Sequence, residues 1–474
     1  MIATQTIRLG AAPLAAPQSR TKAPIPFPAA AVLAYLAAIT VIGKGPTYLG
    51  VPPLYWGEAV MLLGFAWVVN RRGLLGAVLP KVDWLTSLVL AYSLLGFVRI
   101  ARDFPSYGLA AARDSAVWYY AAFYFIGAEI GRRRGLGDRA WSFLTVCWLC
   151  SLAWSTYDQI LADNNPARFW PIMPWRGVSV FSSSGKELLQ HMGLAGILVL
   201  GGLYAKRLRP YHGFLVALTI LGYIMIVVSL GRAEKLAVIS ALVLVTSLYF
   251  APGPRMKAPK VIFQTGMTGL ILALLLVLIA APILSSVAAG ANLDRFSEAA
   301  PEAATGTALW RLVWWQNILQ SMLQDHPVSG FGFGFDLAIF NPYLHDVDEG
   351  GWPVRSPHNI NVTILSRMGI FGAVLFAAIL IVGVGGLYRN AWSGPGLLRY
   401  WPERRMEIGF WAGMLLATWV NSTFGVLMEG PVLGIWFWFA LGFSRMRAAN
   451  ASSAKLYRLA GAARAPLLSD RLAA

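Results

Sequence analysis

The sequence predicts an all-α integral membrane protein: about twelve transmembrane helices, with one large outer loop ahead of the last three. Three observations lead there. Of the 474 residues, 57% are hydrophobic and only 13% charged, roughly half the charge content of a soluble domain. The apolar residues gather in runs close to the ~20 residues that a helix needs to cross a bilayer. The basic residues concentrate on alternate connections, as membrane orientation requires.

Taken in order, the spans are expected near 28–43, 51–69, 84–101, 115–130, 140–161, 189–205, 213–230, 236–252, 261–286, 361–387, 407–427 and 431–445. With the N-terminus inside, the inner connections hold Arg71 and Arg72, Arg132 to Arg134, KRLR at 206–209, RMKAPK at 255–260, RYWPERR at 399–405 and the tail from Arg445. Most of the 39 Lys and Arg therefore fall inside, and the acidic residues show the opposite preference. Both termini are expected in the cytoplasm. The net charge of +17 is then a topology signal, and nucleic acid is not an expected partner.

These runs divide the chain into an Ala/Pro-rich tail (1–27) without a cleavable leader, nine spans (28–286), the large outer loop (287–360), three spans (361–445) and a basic tail (446–474). The last tail is spaced either as a surface helix on anionic lipid or as a frayed end. No internal repeat is visible. Cys147 and Cys150 stand three apart in an apolar run, the spacing of two small core residues rather than a redox or metal pair.

The outer segments carry the chemistry. In the large loop, TALWRLVWWQNILQSMLQDHP (307–327) reads as a helix stopped by Pro327, with Trp310, Trp314 and Trp315 suited to a lipid interface. SGFGFGFD follows, with Gly330, Gly332 and Gly334. Such a turn either cradles phosphate or simply needs positive φ, and a lone G-x-G-x-G favours the second. In HDVDEG, His345, Asp346, Asp348 and Glu349 fit an acidic loop tip better than a metal site, which needs several convergent oxygens. SLGRAEKLA places Arg232, Glu234 and Lys235 between two apolar runs. An arginine there costs roughly 2.5–3.5 kcal/mol unless it faces protein, water or a ligand. Glu58 and Glu429 are acids near the same boundary. Between spans five and six lie Arg168, Arg176, Lys186 and His191, and the SGKE there lacks the glycine spacing of a P-loop. Finally, RSPHNINVTILSRMGIFG sets Arg355, His358 and Asn359 ahead of an apolar helix that contains Arg367. Asn359 is the natural N-cap, so His358 is either a cap neighbour or a chemical group.

Taken together, SLGRAEKLA, RLVWWQNILQSMLQDHPVSGFGFG and SPHNINVTILSRMGIFG resemble, in order, three landmarks of the O-antigen ligase and polymerase superfamily. The resemblance implies a mostly helical, GT-C-like membrane glycosyltransferase without metal or cofactor. Its implied donor is glycan on undecaprenyl diphosphate, and its implied acceptor is glycan or a lipid core. The implied setting is the bilayer of the bacterial inner membrane, with the site facing the periplasm. Arg232 and Arg311 match the family's arginines, and His358 its histidine. The chemistry asks for the same residue types. Without ATP outside, the energy must reside in the sugar–diphosphate bond, and arginines best stabilise the departing diphosphate; Arg355 and Arg367 are further candidates. A neutral imidazole at His358 suits removal of the acceptor proton. His326 and His345 are weaker candidates for that role, and His191 and His212 read as structural. No carboxylate stands out as a nucleophile, so inversion in a single displacement is expected. A polymerase and a ligase are not separated by these residues, with a slight lean to the polymerase. A transporter or flippase of lipid-linked sugar is the competing class. Carriers place ionisable groups near the midplane, often at repeated helix breaks, whereas here they gather at the outer boundary.

Overall fold

The computed structural model describes residues 24–51, 54–79, 83–161, 172–173, 178–179, 232–249, 309–341, 355–393 and 402–450. They are mostly helical. In chain order the helices are α1 (Phe27–Val41), α2 (Trp56–Val78), α3 (Trp84–Tyr107), the short α4 (Leu109–Asp114) and α5 (Ala116–Tyr119), α6 (Ala122–Arg132) and α7 (Arg134–Leu161). Then come α8 (Arg232–Tyr249), α9 (Leu309–Asp325), α10 (Ile360–Leu380), a π turn (Ile381–Gly385), α11 (Gly386–Ser393), α12 (Pro402–Ser422) and α13, residues 431–450. Two antiparallel ladders of two residues per strand, Gly50–Val51 with Leu54–Tyr55 and Ile172–Met173 with Val178–Ser179, are the strands among the described residues.

Two helical stretches, Trp84–Tyr107 and Ile360–Ala391, are long and apolar enough to cross a membrane; Phe27–Val41 is apolar but shorter. The spans expected at 189–205, 213–230 and 261–286 lie outside the described residues. So do HDVDEG, Arg168, Arg176, Lys186, His191 and His212. The expected span at 115–130 is divided. Around Tyr120, bonds from Ala121 N to Trp118 O (2.9 Å) and from Phe123 N to Tyr120 O (2.9 Å) tighten the chain between α5 and α6. The turn presents Tyr119 and Tyr120 together to Glu58, whose Oε1 accepts both hydroxyls at 3.1 and 2.9 Å. That pairing satisfies the boundary acid.

The core is a bundle in which α1 packs on α2 and α7, α2 on α6, α3 on α10, and α8 along α12. Residues Phe123 to Gly131 of α6 are all buried. They run against α13 at close range, because a Cβ at Gly127 or Gly131 would strike the α13 backbone at Phe439 or Phe443. Gly442 of α13 faces the α6 backbone at Tyr124 in the same way. Small residues at such a crossing let the two backbones approach. Gly127→Val should therefore force the helices apart at a cost of about 1–3 kcal/mol, read as a lower unfolding temperature in detergent. An unchanged melt would mean that the crossing is loose.

At the opposite end from Glu58 on α2 and from the start of α6, basic residues are tied to acids. Glu129, 1% exposed, receives Arg72 at 2.6 Å, Arg132 at 3.1 Å and Arg133 at 2.6 Å. Arg447 of α13 reaches Glu407 of α12 at 2.7 Å. A buried carboxylate needs such partners.

Candidate active site

The site is built around the start of α10. Asn359 caps that helix as its sequence suggests: Oδ1 accepts the N–H groups of Asn361 (3.0 Å) and Val362 (3.3 Å). One residue earlier, His358 has φ +57°, the one non-glycine residue with positive φ among the described residues. Its N–H donates to Ser356 Oγ at 3.2 Å, and its Nδ1 lies 2.8 Å from the Ser356 carbonyl oxygen. A carbonyl only accepts, so Nδ1 carries the proton and Nε2 carries the basic lone pair.

Helix α9 braces this segment. Trp315 Nε1 donates to the Pro357 carbonyl, and Trp314 donates to Leu337 O at 2.8 Å while its ring lies 6.4 Å from the imidazole of His358. Two of the tryptophans expected at a lipid interface are thus buried: Trp314 is 0% and Trp315 4% exposed. One turn earlier on α9, Arg311 donates to Phe424 O at 2.7 Å. Burial pulls the His358 pKa below its ordinary value, the Arg311 charge pulls the same way, and the bond to Ser356 opposes both. The surroundings thus favour the neutral imidazole over the imidazolium.

The glycine-rich segment forms a turn with positive φ at Gly330, Gly332 and Gly334. Three of its N–H groups are committed to α10, α3 and α4. Phe331 N donates to Ser366 O (2.6 Å), Phe333 N to Asp103 Oδ2 (2.7 Å) and Gly334 N to Asp114 Oδ2 (3.1 Å). This arrangement favours the conformational reading of the glycines over a phosphate cradle. The turn joins the end of α3 to α10, which kinks at Gly369 where the backbone of Val328 and Ser329 presses against it.

Asp114 also receives two of the predicted arginines. Arg367 is 2% exposed, with Nη1 2.8 Å from Asp114 Oδ2 and 3.3 Å from Phe335 O. Its own carbonyl accepts from Arg99 Nη2 at 3.2 Å. Arg355 donates to Gly334 O at 2.8 Å and lies 3.5 Å from Asp114 and 3.8 Å from Asp336. Arg355 is partly exposed; Arg367 is enclosed. Arg232 opens α8, the helix packed along α12.

Glu429, between α12 and α13, closes the site from the other side. Its Oε1 accepts Ser356 Oγ (2.9 Å) and Thr363 Oγ1 (2.8 Å). Burial pushes the Glu429 carboxyl above its ordinary value, against the two hydroxyl bonds and the Arg367 charge, which lower it; the Asp114 charge adds to the rise.

The structure thus brings His358, Arg311, Arg355 and Arg367 into one connected region. Sequence reasoning did not single out Asp103, Asp114, Ser356 or Thr363, and it noted Glu429 only as a boundary acid. The test applied to Arg232, that a charge beside an apolar run needs a partner, applies equally to Asp103 and Asp114 and would have found them.

No curated protein shows significant similarity to this chain. Residues 180–377, which contain Arg232, Arg311, Arg355, His358 and Arg367, match a family model described as O-antigen ligase.

Proposed function

We propose that this protein is a metal-independent membrane glycosyltransferase. It moves glycan from undecaprenyl diphosphate to an acceptor hydroxyl at the outer face of the bacterial inner membrane. The observation that carries the reading is the His358 imidazole with Nδ1 2.8 Å from the Ser356 carbonyl oxygen, which leaves the basic lone pair on Nε2, beside the cation Arg311. His358 Nε2 takes the proton of the acceptor hydroxyl as that oxygen attacks C1 of the donor sugar. The C1–O bond to the diphosphate breaks with inversion, and its electron pair stays on the departing phosphate oxygen. Arg311, Arg232 and Arg355 take up the growing negative charge, a role in which guanidinium groups need no metal. Arg367 supports them from behind, by holding Asp114 and the glycine turn.

The test uses purified protein in lipid with undecaprenyl-diphosphate glycan, with and without a lipid-core acceptor. A ladder from the donor alone would establish a polymerase. Product that forms only with the lipid core would establish a ligase. Folded protein that makes no glycosidic bond under either condition sinks the reading and leaves transport of lipid-linked sugar.

A further inference from the structure

Glu429 lies outside the matched segment 180–377, yet its carboxylate is wired to the turn that carries His358. The connection runs atom by atom. Ser356 Oγ donates its single proton to Glu429 Oε1 at 2.9 Å. The lone pairs of the same hydroxyl oxygen are then left to accept the His358 N–H at 3.2 Å. The Ser356 carbonyl accepts Nδ1–H of the imidazole at 2.8 Å. The second hydroxyl on Glu429 comes from Thr363 at 2.8 Å, so one carboxylate oxygen grips the chain on both sides of His358.

His358 needs such a grip. Its φ of +57° is a conformation that non-glycine residues keep only where the surroundings over-determine it. The hydroxyl of Ser356 is useful here only while its proton points elsewhere, and Glu429 is where it points. Glu429 is remote in sequence, and its bonded oxygen faces two protein hydroxyls.

We infer that Glu429 is a positioning residue for His358: acting through Ser356, it holds the imidazole in the tautomer that leaves the lone pair on Nε2. The inference rests on His358 being the general base proposed above. Without Glu429, the Ser356 hydroxyl turns to other acceptors and the positive-φ turn relaxes. The imidazole then leaves the Ser356 carbonyl and populates the form with the proton on Nε2, which cannot accept one.

The experiment compares Glu429→Ala, Glu429→Gln and Ser356→Ala with wild type and His358→Ala. All are full-length protein in lipid, assayed for glycosyl transfer from undecaprenyl-diphosphate glycan. Glu429→Ala is expected to lower kcat about 100-fold, the scale of a catalytic group displaced by roughly 1 Å, with KM for the donor little changed. Glu429→Gln keeps an oxygen that accepts both hydroxyls and should restore most of the loss. Ser356→Ala breaks the link while Thr363 still holds Glu429, so it should behave like Glu429→Ala and carries the test if that variant does not fold.

A second readout does not depend on activity. In protein labelled with ¹⁵N-histidine, the His358 signals, identified by their loss in His358→Ala, should report Nδ1–H in wild type and a tautomer mixture in Ser356→Ala. Wild-type kcat together with an intact Nδ1–H signal in Ser356→Ala would overturn the inference and leave the glycosyltransferase reading standing. Full activity in His358→Ala would overturn the base assignment, and the inference with it.

Discussion

His358→Ala is expected to lower kcat by about 10²–10⁴-fold, the usual contribution of a general base, while the protein stays folded and still binds its donor. The loss should fall on kcat because the imidazole acts on the acceptor proton, whereas the donor diphosphate is held by arginines. The pH profile provides an independent check. Burial and the Arg311 charge pull the His358 pKa below the ordinary imidazole value, which is about 6.5. A base works when unprotonated, so kcat/KM should stay level through neutral pH and fall only on acidification, with its midpoint below that value. Arg311→Gln removes a charge that disfavours the imidazolium, so it should move the midpoint upward. A profile centred at or above 6.5 in wild type, or an Arg311→Gln midpoint that moves downward, would mean that another group sets the rate.

How much of this was legible in the sequence depends on the range over which each feature is decided. Asn359 caps α10 through bonds to residues two and three positions away, and Pro327 follows closely on the end of α9 at Asp325. Gly330, Gly332 and Gly334 adopt positive φ where a glycine-rich turn was expected. These are local rules, readable from neighbours. The pairings that assemble the site are not local. Phe333 meets Asp103, Gly334 and Arg355 meet Asp114, and Ser356 meets Glu429, each across a long stretch of chain. Periodicity shows that a charge beside an apolar run needs a partner, but not which residue supplies it. The same limit explains Arg367. A guanidinium in the first turns of a membrane-edge helix invites a ligand reading, and only the packing of α3 against α10, with α4 carried on α3, reveals that Asp114 is paired with it. Trp314 and Trp315 of α9 are a further case. Their spacing suits a lipid-facing helix, but the glycine turn and the 355–359 segment fold over them, and they become the brace of the site.

Asp114→Ala is expected to destabilise the protein by about 3–5 kcal/mol, the cost of leaving one member of a buried ion pair uncompensated. Arg367 is 2% exposed and lies 2.8 Å from Asp114, so its charge has no ready access to water once the carboxylate is gone. The same change frees Arg355 from one of its two acids and leaves the Gly334 N–H without its acceptor, so activity should fall along with stability. A double-mutant cycle separates the possible causes. Asp114→Ala combined with Arg367→Met replaces the pair by apolar groups, and buried pairs exchanged in this way are often neutral in stability. Most of the lost unfolding temperature should therefore return in the double variant. The donor KM then decides what Arg367 does. If it only holds the turn, the double variant keeps a KM close to that of wild type, while Arg311→Gln raises it. If Arg367 instead grips the donor diphosphate, KM rises in the double variant even though its stability has returned, and the supporting role assigned to Arg367 is wrong.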